Sequence, residues 1–187
     1  MLRKSLEIWL AALSCLVIGA GYALLVLLTR QVPAAGGLAG HLLGLVGFVL
    51  MLATEVLYSL RKRTRSGSWG SMALWLKIHI YTGIVGPFMV LLHTSWKAGG
   101  LAGVTLALTG LIVASGFIGR FLYTRIPRTA EGIEDSNLIG QIQVTALAST
   151  RRLFSLWHTI HIPIGMALFT MAFVHILGAI YYATLLR

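Results

Sequence analysis

Five stretches of this chain run for more than twenty residues with a single Asp, Glu, Lys or Arg apiece, at about 7–29, 38–60, 72–96, 101–124 and 152–184. A hydrocarbon layer about 30 Å thick takes roughly 20 apolar residues per helix, and within it every backbone polar group must be paired inside the segment. Each stretch is therefore expected to be a transmembrane helix, and the chain an all-α integral membrane bundle of five spans forming one domain over residues 1–187. With 57% hydrophobic and 11% charged residues and a mean hydropathy of +0.85, little remains for a soluble domain. The first stretch follows Arg3 and Lys4, but its apolar run is too long for a signal peptide and is read as a retained helix.

The net charge of +10 would point to nucleic acid in a soluble protein. Here the basic residues gather at span ends, so no nucleic-acid partner is expected and the charge reports orientation instead. All of the fifteen Lys and Arg except Arg30, Lys97 and Arg187 fall on one side of the five spans. The expected topology has the N-terminus inside and the C-terminus outside a cell (inner) membrane, multi-pass. Trp9, Trp69, Trp75, Trp96 and Trp157 fall at or near expected span ends, where amphipathic rings sit.

The connection RKRTRSGSWGS after span two is basic and rich in Gly and Ser, and the outer connections QVPAAGG and KAGG are short. The longest, about 125–151, carries Glu131, Glu134 and Asp135 before the amphipathic piece NLIGQIQVTALAS, expected to lie on the inner surface or to face a partner. Cys15 is the lone cysteine and lies inside span one, so there is no disulfide framework, no zinc pair and no thioether haem attachment.

Spans three and five share one pattern, His-x13-His: His79 with His93, and His161 with His175. At 100° and about 1.5 Å per residue, fourteen residues bring two side chains to within about 40° of one line and roughly 21 Å apart. Spans three and five run in the same direction, so His79 is expected to meet His161 near the inner side and His93 to meet His175 near the outer side. Two imidazoles facing each other at matched depth suit a six-coordinate haem iron with no open position, which leaves electron transfer as its chemistry. The expected cofactors are two b haems. Zinc or di-metal sites need ligands converging within a few ångströms, which pairs about 21 Å apart do not provide.

The competing explanation is four buried histidines bonded to neighbouring helices. Ionisable groups inside a bilayer are costly and usually functional, and two equal spacings on parallel helices favour the haem reading. His158, three residues before His161, is the alternative inner ligand; its seventeen-residue separation from His175 rotates it about 100° off a common line, so it is read rather as a neighbour of the site, a propionate contact or part of a quinone site. His41, Lys77, Arg151 and Arg152 are candidate propionate contacts, each with interfacial placement as the plain alternative. Arg120 joins that basic set. Glu7 and Glu55 lie toward the inner side as candidate proton carriers in quinol chemistry. Gly83, Gly86 and Gly165 either make room for a porphyrin or serve helix packing.

The segments HIYTGIVGPFMVLLH and HIPIGMALFTMAFVH resemble the ferric reductase-like transmembrane domain family, the group that includes NADPH oxidases, ferric reductases and the membrane cytochrome of a periplasmic methionine sulfoxide reductase. The resemblance covers roughly residues 40–184. It implies that His79, His93, His161 and His175 ligate two b haems. No flavin or nicotinamide domain follows the fifth span in this sequence, so the donor is expected to be another protein or a quinol. The leading expectation is an electron-transfer subunit linking a quinone pool or cytoplasmic donor to a partner redox protein of a membrane complex. A self-contained reductase of ferric iron or oxygen and a haem-free anchor subunit are the alternatives.

Overall fold

The computed structural model describes residues 5–63, 70–125 and 144–185. These form five helices and no strand: α1 (Leu6–Thr29), α2 (Leu38–Arg63), α3 (Met72–His93), α4 (Gly100–Thr124) and α5 (Val144–Leu185). All five contain stretches long and apolar enough to cross a membrane, so the protein is a multi-pass membrane protein whose environment is a lipid bilayer.

Side-chain contacts fix the helix directions. Ser14 bonds to Tyr81, and Gly19 lies against Phe88, so α1 and α3 run in parallel. On α2 the order reverses: Gly44 lies beside His93, Gly47 beside Gly86, and Thr54 beside Thr82. Glu7 at the start of α1 pairs with Arg120 near the end of α4, and Trp157 and His161 of α5 meet Ser115 of α4. Thus α1, α3 and α5 run one way and α2 and α4 the other. Lys62, Arg63, Lys77, Arg120, Arg125, Arg151 and Arg152 lie toward one end of the bundle and Arg30 and Lys97 toward the other.

The closest packing is α2 on α3. A methyl group added at Gly47 would come within 2.8 Å of the Gly86 carbonyl oxygen, and one at Gly86 within 2.9 Å of the Gly47 carbonyl. Lipid offers no hydrophobic drive for helix association, so backbones that approach this closely, through facing small residues, supply it by dispersion. Gly83 also turns to α2, toward Thr54, while Gly165 lies between Glu55 and Ile112. These three glycines serve contacts with α2 and α4.

α5 packs on α4, where Gly119 leaves room for the Trp157 ring, and α3 touches α1 and α4. By contrast α3 and α5 pack little on each other. Phe48 of α2 reaches α5 at middle depth, 5.5 Å from the Phe173 ring and 6.4 Å from that of Phe169. Of the large side chains described, Leu168 alone is fully buried.

Two boundaries differ from expectation. α3 ends at His93, because Ser95 and Trp96 turn into the left-handed region, with φ of 52° and 64°, and Ser95 Oγ donates to the Pro33 carbonyl at 2.6 Å. That bond ties the α3–α4 connection to the α1–α2 connection. α5 begins eight residues before the expected position 152, since nothing between Val144 and Leu156 breaks a helix. The end of the amphipathic piece is thus the first turns of α5, and the remainder of that connection lies outside the described residues, as does Trp69.

Candidate haem-ligand site

Thr54 and Gly40 of α2 are fourteen residues apart (54 − 40), as are His79 and His93 of α3 (93 − 79). The two spacings engage each other. His79 Nδ1 donates to the Thr54 carbonyl at 3.1 Å, and His93 Nδ1 donates to the Gly40 carbonyl at 2.8 Å. A carbonyl oxygen can only accept, so in each neutral ring the proton sits on Nδ1 and the Nε2 lone pair is available to a metal. A helix carbonyl normally accepts from the amide four residues on; its second lone pair serves here.

α5 builds the equivalent socket from side chains. His161 Nδ1 is hydrogen-bonded to Ser115 Oγ of α4 at 2.9 Å. Trp157, one turn before His161, donates its Nε1–H to the Ser115 carbonyl at 2.7 Å and to the Ser115 hydroxyl at 3.0 Å. Each of these two histidines also has an aromatic neighbour: Tyr58 at 4.9 Å centroid distance from His79, and Trp157 at 4.7 Å from His161. Trp157 is therefore a packing residue of the site and not an interfacial anchor.

Across the bundle, His161 is near enough to His79 to interact electrostatically, and His175 to His93. Among the described residues no group of three or more His, Cys, Asp or Glu is placed to hold a metal ion. The donor set is of the kind that would suit axial haem ligation: histidines on two helices, three of the four with Nδ1 engaged by a neighbouring helix. Hydrogen bonds of this type orient ligating histidines and raise their basicity.

His158 also lies close enough to His161 to interact with it electrostatically. Its Nε2 lies 3.0 Å from Lys62 Nζ, which directs the ring toward the end of α2. His41 is exposed, with Nδ1 bonded to the Gly37 carbonyl one turn back at 3.0 Å. Lys77, Arg151 and Arg152 are exposed; Arg151 and Arg152 stand ten and nine residues before His161, or about 15 and 13 Å along α5. Arg120 is committed to Glu7, an ion pair between residues that the sequence placed on the same side but did not join.

Sequence reading missed the supports: Gly40, Gly44, Thr54, Ser115 and Gly119. A methyl group at Gly44 would come within 2.9 Å of the His93 ring, and one at Gly119 would overlap the Trp157 ring. A signal was present for two of them, since Gly40 and Thr54 mirror the histidine spacing on the preceding span. No family model, curated protein or solved structure matches this chain.

Proposed function

We propose that this chain is a dihaem b-type cytochrome, an electron-transfer subunit that carries electrons across a cell (inner) membrane between a quinone pool or cytoplasmic donor and a partner redox protein. The observation that carries the reading is that His79 and His93 are each held by Nδ1 to a carbonyl of α2 at two depths, with His161 and His175 of α5 near enough to interact with them electrostatically. The resemblance of the α3 and α5 segments to the ferric reductase-like transmembrane domain family supports it. Bound haem would supply one-electron Fe(III)/Fe(II) chemistry. Thr54 and Gly40 engage Nδ1 of His79 and His93 and leave their Nε2 atoms available, and Ser115 with Trp157 fixes His161. Two ligand levels about 21 Å apart along α3 divide an insulating layer of about 30 Å into shorter steps.

The basic end of the bundle is assigned to the cytoplasmic side by the excess of Lys and Arg there, which puts His79 and His161 on the inner side and His93 and His175 on the outer side. The test is a pyridine haemochrome assay with reduced-minus-oxidised spectra on the purified chain and on single His→Ala variants. Two b haems per chain are expected, one of them lost in His79→Ala or His161→Ala and the other in His93→Ala or His175→Ala, with both retained in His158→Ala. A wild-type chain without haem would be an anchor subunit, and loss of a haem in His158→Ala with retention in His161→Ala would reassign the inner ligand.

A further inference from the structure

α2 and α5 meet along an antiparallel seam of regular register. Lys62 contacts His158, and seven residues deeper along each helix Glu55 lies by Gly165 (62 − 55 and 165 − 158). Seven residues deeper again on α2 is Phe48, beside Phe169 and Phe173. The seam thus carries a polar contact at the basic end, a carboxyl group about 10 Å deeper, and apolar rings below that.

Lys62 is the penultimate residue of α2, at the depth where a span gives way to lipid headgroups. Its Nζ lies 3.0 Å from His158 Nε2. An ammonium group can only donate, so Nε2 accepts and the neutral ring carries its proton on Nδ1. Two more donors on the ammonium and the Nδ1–H of His158 have no partner among the described residues. The adjacent Arg61 turns elsewhere, to the Gly70 carbonyl at 2.9 and 3.2 Å. Of the described acids, Glu7 is held by Arg120 and Glu55 stands about 10 Å deeper, so neither meets Lys62 at its own level.

We propose that Lys62 and His158 form a phosphate site filled by the headgroup of an anionic phospholipid, from the leaflet at this end of the bundle. One phosphate oxygen accepts from the Lys62 ammonium and another from His158 Nδ1–H, both charge-assisted bonds. Basic sites between transmembrane helices recognise anionic headgroups in this way, and no enclosing pocket is needed because the acyl chains stay in the bilayer. The histidine distinguishes a site from the general surplus of Lys and Arg at this end. That surplus attracts through charge, to which a neutral imidazole adds nothing. The site stands without the cytochrome reading.

The experiment is native mass spectrometry of the full chain released from phosphatidylcholine nanodiscs doped with phosphatidylglycerol, with haem spectra recorded on the same samples. One phosphatidylglycerol per chain is expected to be retained in preference to phosphatidylcholine. Retention should fall about tenfold in Lys62→Gln and in His158→Ala, the loss of a hydrogen bond to a charged group. It should be unchanged in Arg125→Gln, which removes one charge at the same end. On the wild-type chain, phosphatidylglycerol carrying a diazirine beside its phosphate should mark residues 59–62 and 155–158, a readout that needs no variant to fold. Equal losses in Lys62→Gln and Arg125→Gln with none in His158→Ala would reduce the site to diffuse surface charge and overturn the proposal. Marks spread evenly around the bundle would overturn it too, as would displacement of the lipid by millimolar inorganic phosphate, the mark of a soluble-anion site. Two haems without preferential retention sinks the lipid site alone. Retention by a chain without haem supports the site and sinks the cytochrome reading.

Discussion

His93 is the last residue of α3, and its imidazole lies where Gly44 of α2 presents no side chain. A Cβ at 44 would stand 2.9 Å from two atoms of that ring, so either the ring or the helix must shift. Moving the ring breaks the 2.8 Å bond to Gly40. Gly44→Ala is therefore expected to lower occupancy at the His93/His175 level and leave the His79/His161 level intact, read as loss of about half the haemochrome absorbance. Gly21→Ala, where nothing lies within 4 Å, is the control and should match wild type. Ser115 tests the other level, because its hydroxyl is the hydrogen-bond partner of His161 Nδ1. Removing such a partner costs about 10–100-fold in metal affinity, so Ser115→Ala should weaken haem retention at the His79/His161 level on dilution or haem-scavenger challenge, and Ser115→Thr should restore it.

Among elements, the five spans could be read from sequence because apolar length sets them, and a fourteen-residue repeat sets one face of α3 and one of α5. What could not be read is which neighbour each face meets. Gly83, Gly86 and Gly165 illustrate the difference, since a glycine in a membrane helix looks the same whether it admits a cofactor or another backbone, and all three face α2 or α4. Glu7 and Arg120 were each legible as inner-side charges, and only the fold joins them as a pair 3% and 16% exposed at the side chain. Breaking a buried pair costs about 3–5 kcal/mol because it strands the other charge, whereas replacing both partners by apolar residues is often neutral. Arg120→Leu is accordingly expected to destabilise the fold by about 3 kcal/mol in reversible denaturation from mixed micelles. Glu7→Leu combined with Arg120→Leu should recover most of that loss, and a double variant no more stable than Arg120→Leu would show that the clasp does not act through charge.

For the whole molecule, the antiparallel order and the unequal distribution of charge together decide which ligand level faces which aqueous phase. The bundle itself fixes only that Arg125 lies at the end shared by Lys62, Lys77 and Arg152, and Lys97 at the other. Under the proposed topology, which follows the positive-inside tendency, Arg125 faces the cytoplasm, and with it the Lys62–His158 contact and the His79/His161 level. This assignment can be measured directly, since Cys15 is the sole cysteine and lies within α1. In a Cys15→Ser background, Lys97→Cys should react with a membrane-impermeant maleimide on intact cells, and Arg125→Cys only after the membrane is opened. Both positions lie in connections and not in a helix interior, so neither substitution disturbs the histidine levels, and haem spectra should be unchanged. The reverse labelling pattern would invert the protein in the membrane and make the Lys62–His158 site an outer-side feature, while leaving the helix packing as it stands.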